Sequence, residues 1–495
     1  MMRKLFNFRP IVAAGLSVVT GVVCSAAFYR YSPFIAFLPA VSGAIVALVV
    51  FAIKRSVRVL AYSSVFILLF SLAALLSSFD AAKYVGAPSP SGEITFCGRV
   101  NEVVFYDAES DTSGVVLTDL SSSGFSFRGG NVYARLKGEV DVGDEYGLKC
   151  KLSLADVPTV DTFYYPRGIV YEAKDIAFVE RTRGGGFFYV LRIGIKTILK
   201  ENLSEDGYAF TSSLLLGEAG GMSRDVTENF RAAGVSHVFA VSGLHIGFLA
   251  ALLSFLFDKL RIKRLKNALL VLLFTALYAG ICGFSVSSLR AVITCFVYGF
   301  ARSFGFKRDD LNAVFISLTI VLLAFPSSLF SYGFLLSFSA VTGIALFRCT
   351  FVRCLPFLNE RFSNVFSVAL SAFVATAPII AVVSGRVSLV TVLANLLFLP
   401  VVSAIFYIAV ISVAIVAVFR FLGSAFFLTE VLTRFVLGVT ESVEFSRFLT
   451  DASFGAVGLT VYYTAALLAS DKINIPKNLK IAVAATAATA LITFI

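Results

Sequence analysis

Groups that could do chemistry are scarce in this sequence and collect in one place. The chain has two histidines in 495 residues, and both fall in the apolar run GVSHVFAVSGLHIG at 234–247. His237 and His245 flank Ser242 and Gly243. On one helix, Ser242 and His245 are three apart and share a side. His237 is then about 80° round from His245. Polar and ionisable groups in an apolar span are costly, so they face an interior or a cavity and mark a pathway or site. The plain alternative is a helix–helix hydrogen bond with no further role. Gly243 and Gly247 weaken a helix or let another backbone come close. A serine beside a histidine also raises the chemistry of an intramembrane serine protease. Three residues apart on one helix, the two side chains share a face without aiming at each other. No other span supplies a histidine, so no catalytic residue is assigned.

Arg290, in CGFSVSSLRAVIT at 282–294, is the second signal. A guanidinium in an apolar run needs a carboxylate, helix C-terminal carbonyls or an anionic ligand. SYGFLLSFSAVTGIA at 331–345 adds Ser331, Ser337 and Ser339. The stretch at 375–400 carries Pro378, Gly385, Arg386, Asn395 and Pro400. Pro and Gly in such runs point to broken or re-entrant helices, which are tolerated where they line a cavity. The recurring polar types are Ser, Gly, His, Arg and Asn, with almost no Asp or Glu. Proton- or cation-coupled transport calls for an intramembrane carboxylate, so this core suits an anion better.

These residues need a membrane scaffold to place them. The chain is 58% hydrophobic and 15% charged, far from a soluble globular composition. Apolar runs at 11–29, 33–53, 58–78, 238–257, 268–282, 286–301, 311–325, 363–383, 400–419, 455–470 and 480–495 read as spans. The sequence therefore predicts a polytopic α-helical membrane protein of about 10–12 spans, some broken or re-entrant. The basic start MMRKLFNFRP reads as the flank of an uncleaved first span. Basic clusters at Arg3/Lys4, Lys54/Arg55/Arg58 and Lys259–Lys266 fit a cytoplasmic N-terminus under the positive-inside rule. Much of the net charge of +11 is explained that way.

Residues 80–182 break the pattern. They hold 16 Asp/Glu against 10 Lys/Arg, and strand-like runs alternate with turn signals. Five short strands fit a small extracytoplasmic barrel of the OB type. Cys97 and Cys150 each sit in a strand-like run. A disulfide is permitted on that side of the membrane, the alternative being two small core side chains. The expected divisions are a three-span region at 1–79, the OB-like domain at 80–182, amphipathic interfacial helices at 183–235 and a membrane core at 236–495. Glu218, Arg224, Asp225, Glu228 and Arg231 are expected on a solvated face.

LLLGEAGGMSRDVTENFRAAGVSHVFAVSGLHIGFLAALL resembles the core signature of the ComEC family of competence proteins. GFSVSSLRA, YGFLLSFSAVTGI and the Pro378–Arg386–Asn395–Pro400 region resemble it too, and the insert ending DTFYYPRGIVYEAKDIAF is similar to the family's OB-like domain. The resemblance covers roughly residues 5–420. It implies a channel in the bacterial cytoplasmic (inner) membrane that passes single-stranded DNA during natural transformation. His237, Ser242, Gly243, His245, Arg290, Ser337, Arg386 and Asn395 would line or gate that channel. A polyanion needs a path with donors and no buried carboxylates, and these types supply it. Many relatives end in a metallo-β-lactamase-like domain that requires a cluster of His and Asp ligands. With two histidines, both in the membrane core, this chain is expected to be a short form with no metal, no cofactor and no nuclease chemistry. The sequence has no GxxxxGK[ST] loop, so a separate cytoplasmic motor and a separate DNA receptor are expected partners beside the bilayer. A carrier of another anionic polymer or of a lipid-linked precursor is the alternative reading.

Overall fold

The computed structural model describes residues 10–28, 57–84, 87–90, 92–107, 110–122, 124–127, 129–155, 162–182, 184–218, 222–239, 243–306, 309–356, 359–453 and 455–470. The spans expected at 33–53 and 480–495 lie outside them. In chain order, α1 (Pro10–Phe28) and α2 (Val57–Ala82) precede five strands: β1 (Glu93–Asp107), β2 (Thr112–Ser121), β3 (Asn131–Lys137), β4 (Glu145–Leu154) and β5 (Ile169–Thr182). Three shorter helices follow: α3 (Phe187–Asn202), α4 (Glu205–Leu216) and α5 (Arg224–Ala232). The membrane core comprises α6 (Gly243–Lys259), α7 (Arg264–Ile281), α8 (Val286–Ser303), α9 (Asp310–Ala324), α10 (Tyr332–Cys354), α11 (Glu360–Ser384), α12 (Thr391–Val418), α13 (Phe427–Ser442) and α14 (Ala456–Ala469). A two-stranded ribbon of β6 (Arg386–Ser388) and β7 (Leu449–Asp451) ties the last third together.

Among the described residues, seven helices or helix pairs are long and apolar enough to cross a membrane. The protein is thus a multi-pass membrane protein. Backbone groups in the bilayer have no water to bond, so helices that satisfy themselves are the stable form. Their ends are capped by short polar side chains: Ser285, Asp309, Ser331 and Asn359 each accept a backbone N–H from the first turn. Close packing relies on small residues. A Cβ built on Gly343 of α10 would meet Ala375 Cβ at 2.4 Å and Ser371 O at 2.7 Å on α11. Pro378 stays inside α11. Proline lacks the N–H that would bond the carbonyl four residues back, that of Val374. Tyr462 of α14 donates its hydroxyl to Val374 O at 2.8 Å and restores the bond.

The strands close into a barrel in the order β1-β2-β3-β5-β4, with β3 and β5 parallel and the other pairs antiparallel. This is the OB-like insert. Alternation at period two turns Phe96, Leu148, Cys150 and Tyr171 inward. The same alternation corrects the disulfide expectation. Cys97 pairs opposite Gly147 and Cys150 opposite Ile94. The two cysteines are three positions out of register and project to opposite faces: Cys97 is exposed, Cys150 is buried, and both thiols are free.

The stretch expected to be wholly interfacial differs as well. Every residue of α4 from Ala209 to Leu216 is buried, packed in one apolar cluster with Phe398, Val402 and Phe406 of α12.

Candidate functional site

The barrel sits on one end of the helical core. Tyr165 stacks edge-on with Phe330, just before α10, at 5.6 Å between ring centres. Gly283, just before α8, lies below Asn101 and Val142 of the barrel. Arg224 of α5, two turns and a short link before α6, bonds Asp107 of β1 at 2.6 Å. So α6, α8 and α10 all begin at the barrel end and run away from it. Their far ends carry the basic clusters: Lys259 closes α6, Arg302 lies in the last turn of α8, and Arg353 in that of α10. Arg302 also meets Asp258 of α6 there at 3.0 Å.

Arg290 is in the second turn of α8 and is 5% exposed. Its Nη2 donates to Ser337 Oγ of α10 at 2.5 Å, and Ser337 Oγ is 3.3 Å from Ser287 Oγ. The guanidinium lies over the Phe338 ring at 5.3 Å. Its Nε is buried with no hydrogen-bond partner. Gly243 opens α6 against it: a Cβ there would fall 2.5 Å from Arg290 Nη2. Among the described residues no carboxylate pairs with Arg290. Helix N-termini carry partial positive charge that falls off within the first turn, so Gly243, the first residue of α6, lends this spot the same sign as the arginine.

A second buried arginine shares the unpartnered Nε but has the opposite charge balance. Arg192 of α3 is 4% exposed. Its Nη1 donates to Leu216 O at 3.1 Å and Ile281 O at 3.0 Å, the last residues of α4 and α7. Its Nη2 bonds Glu218 at 3.2 Å. Two helix C-termini and a carboxylate neutralise it. Glu218 is therefore half-buried in a charge cluster rather than on a solvated face. Lys196 of α3 bonds both Glu218 at 3.0 Å and Asp141 of the β3–β4 turn at 2.6 Å. Arg192, Lys196, Glu218 and Asp141 were missed as a unit by sequence reasoning. Tyr189, Arg192 and Lys196 at helical spacing on one face of α3 were the available signal, since Tyr189 also reaches the barrel, at Asp144.

Of the residues singled out in the sequence, Gly243, Arg290 and Ser337 are brought together. His245 is fully buried, and its ring packs on Phe406 of α12 at 5.3 Å. His237 is exposed in a 3-10 turn, Ser236–Val238. Asn395, early in α12, holds its Oδ1 buried without a hydrogen-bond partner. Arg386 is exposed on the ribbon and bonds Asp451 at 3.0 Å. Ser242 lies outside the described residues. Among the described residues no group of three His, Cys, Asp or Glu is placed to hold a metal. On the barrel, a groove is lined by Arg135, Lys137, Lys174, Phe178 and Arg181 together with the acidic Glu172 and Asp175.

Comparison with known proteins bears on the helical core. The family described as Competence protein matches residues 214–471, which takes in Gly243, Arg290, Ser337, Arg386 and Asn395. ComE operon protein 3 of Bacillus subtilis is 29% identical over 210 residues, covering 42% of this chain and 26% of that protein. An uncharacterized protein of Aquifex aeolicus is 33% identical over 186 residues, covering 37% of this chain and 41% of its own length. Uncharacterized protein YcaI of Escherichia coli is 26% identical over 201 residues, covering 38% and 26%. The matched regions thus span between a quarter and about two fifths of these relatives' lengths. No solved structure matches the chain.

Proposed function

The chain belongs to the competence protein family, and from that premise we propose that its membrane core passes single-stranded DNA across the bacterial cytoplasmic membrane during natural transformation. Arg290 carries the reading. A buried guanidinium with no carboxylate partner among the described residues, set beside the N-terminus of α6, is unfavourable unless an anion comes to it. A strand of phosphodiesters is such an anion. The contrast with Arg192, which has its own carboxylate and two helix C-termini, separates a structural cation from one left to meet a ligand.

Other features support the same direction of travel. The basic helix ends all lie opposite the barrel, which favours a cytoplasmic N-terminus and an outward barrel. The barrel groove sets the exposed ring of Phe178 among Arg135, Lys137, Lys174 and Arg181, beside Glu172 and Asp175, and an aromatic ring among basic side chains is the combination that holds single strands without reading sequence. In this reading Gly243, Ser337 and Arg290 belong to the path. His237, Ser242, His245, Arg386 and Asn395 are proposed to line or gate it as well. A DNA receptor outside and a motor inside act as separate partners, and the chain itself does no chemistry on the strand.

The test is transformation with linear marked DNA in cells whose sole competence-family protein is this chain. Deletion of the chain should abolish marker uptake. Arg290→Glu should do the same while protein stays in the membrane at normal level. Normal transformation after deletion would end the DNA reading and direct the search to another anionic polymer or a lipid-linked precursor.

A further inference from the structure

Deepening the channel reading and resting on it, we infer that Arg290, Ser337 and Ser287 form a site for one backbone phosphodiester, and that the path recognises DNA there by its phosphate charge rather than by its bases. Several observations converge on this place. Arg290 is 5% exposed and its Nε is unpartnered. Ser337 Oγ, held 2.5 Å from Arg290 Nη2 and 3.3 Å from Ser287 Oγ, has a rotatable hydroxyl that can turn its proton to an incoming oxygen. Gly243 lets the start of α6 come close to the guanidinium, since a Cβ there would fall 2.5 Å from Nη2. A phosphodiester offers two non-bridging oxygens with one shared charge, which the flat donor edge of arginine meets as a pair. The start of α6 favours the same charge. A contact to the phosphate carries no sequence information, so a site used in this way accepts any sequence.

A site of this chemistry would also accept a phospholipid headgroup, which is a phosphodiester too. The geometry favours the strand. Arg290 is enclosed between α6, α8 and α10 near the barrel end, and the groove that supports strand binding is on that barrel.

The experiment alters the ligand rather than the protein. Marked DNA is prepared with a run of methylphosphonate linkages, which are neutral and nearly isosteric, upstream of the marker. In cells carrying the wild-type chain, uptake of this DNA should fall about tenfold to a hundredfold relative to unmodified DNA, as expected for loss of a charge-assisted hydrogen-bonded pair. In Arg290→Gln cells, uptake of unmodified DNA should already be low, and the neutral run should lower it by less than about threefold, because the reader of the charge is gone. Equal uptake of neutral and unmodified DNA by the wild-type chain would overturn the site. So would an undiminished penalty from the neutral run in Arg290→Gln cells. Both results leave the channel reading standing, whereas uptake of unmodified DNA by cells lacking the chain removes the channel reading itself. If neutral DNA passes freely and the purified wild-type chain retains phospholipid that Arg290→Gln loses, the phosphodiester bound is a headgroup, and the strand assignment is wrong.

Discussion

Lys196 Nζ lies 2.6 Å from Asp141 Oδ1 and 3.0 Å from Glu218 Oε1, so one ammonium joins the barrel to the loop that follows α4. All three side chains are mostly buried, at 12, 19 and 15% exposed. Lys196→Met leaves Asp141 without its cation and Glu218 with Arg192 alone. Removing one partner of a buried pair costs about 3 kcal/mol or more, and detergent-solubilised protein should lose that much stability against denaturant. Burial alone would lower the Lys196 pKa, and Glu218 and Asp141 outweigh burial to leave it raised. A raised cation stabilises fully below the ordinary lysine value of about 10.4 and loses that contribution as pH rises through the folded value. The gap between wild type and Lys196→Met should hold steady at neutral and mildly alkaline pH and shrink above about 10.4. Equal stability of the two proteins at pH 7 would remove the joint from this account.

The cysteines report both barrel register and orientation. Cys97 is exposed on the barrel, while Cys349 and Cys354 are exposed at the far end of α10. Cys150 is enclosed, and burial pushes its thiol up to about 11. A membrane-impermeant maleimide added to intact cells should label Cys97 and should leave Cys150, Cys349 and Cys354 unlabelled. Permeabilised cells should add Cys349 and Cys354. Label on the α10 pair before permeabilisation would invert the topology proposed here.

Much of this architecture is legible in the sequence because its signals are local. Uniform apolar runs announce α1, α2 and α11 to α12, and period-two alternation announces β3 and β4. Arg290 stands out because an arginine in an apolar run is rare whatever surrounds it. Pairings across the chain were hidden. Whether Cys97 could meet Cys150 depended on the register of β1 on β4, which neither strand encodes alone. Glu218 reads as solvated in a polar linker, and only the return of α3 against the ends of α4 and α7 buries it. The spacing of Ser242 and His245 suggested a shared polar face. His245 instead packs on Phe406, an aromatic partner 161 positions along the chain that no local pattern names.

Two glycines of the motif GLHIG should behave differently. Gly243 abuts Arg290, where a Cβ would lie 2.5 Å from Nη2, while a Cβ on Gly247 meets nothing within 4 Å. Gly243→Ala forces the guanidinium from its place, and overpacking of this sort costs about 1–3 kcal/mol. Marker uptake should fall about fivefold or more on that scale. Gly247→Ala should leave uptake within about twofold and firm the helix slightly. The pair is read by transformation frequency at matched membrane levels. Equal effects of the two substitutions would show that the contact with Arg290 does not matter.

The Tyr462–Val374 bond can be tested with a cycle. Proline at 378 leaves Val374 O without its helical donor, and the Tyr462 hydroxyl takes over at 2.8 Å. Tyr462 is 2% exposed. Tyr462→Phe therefore strands a buried carbonyl, at a cost of about 1–3 kcal/mol. Alanine at 378 brings back a backbone N–H for the same carbonyl. In a Pro378→Ala background, Tyr462→Phe should lose most of its effect, because α11 then satisfies itself. A coupling energy of about 1 kcal/mol or more between the two positions, from unfolding of the four proteins, fits this relation. Strict additivity would mean that the hydroxyl serves Val374 in neither background, and that Pro378 is accommodated by some other adjustment of α11.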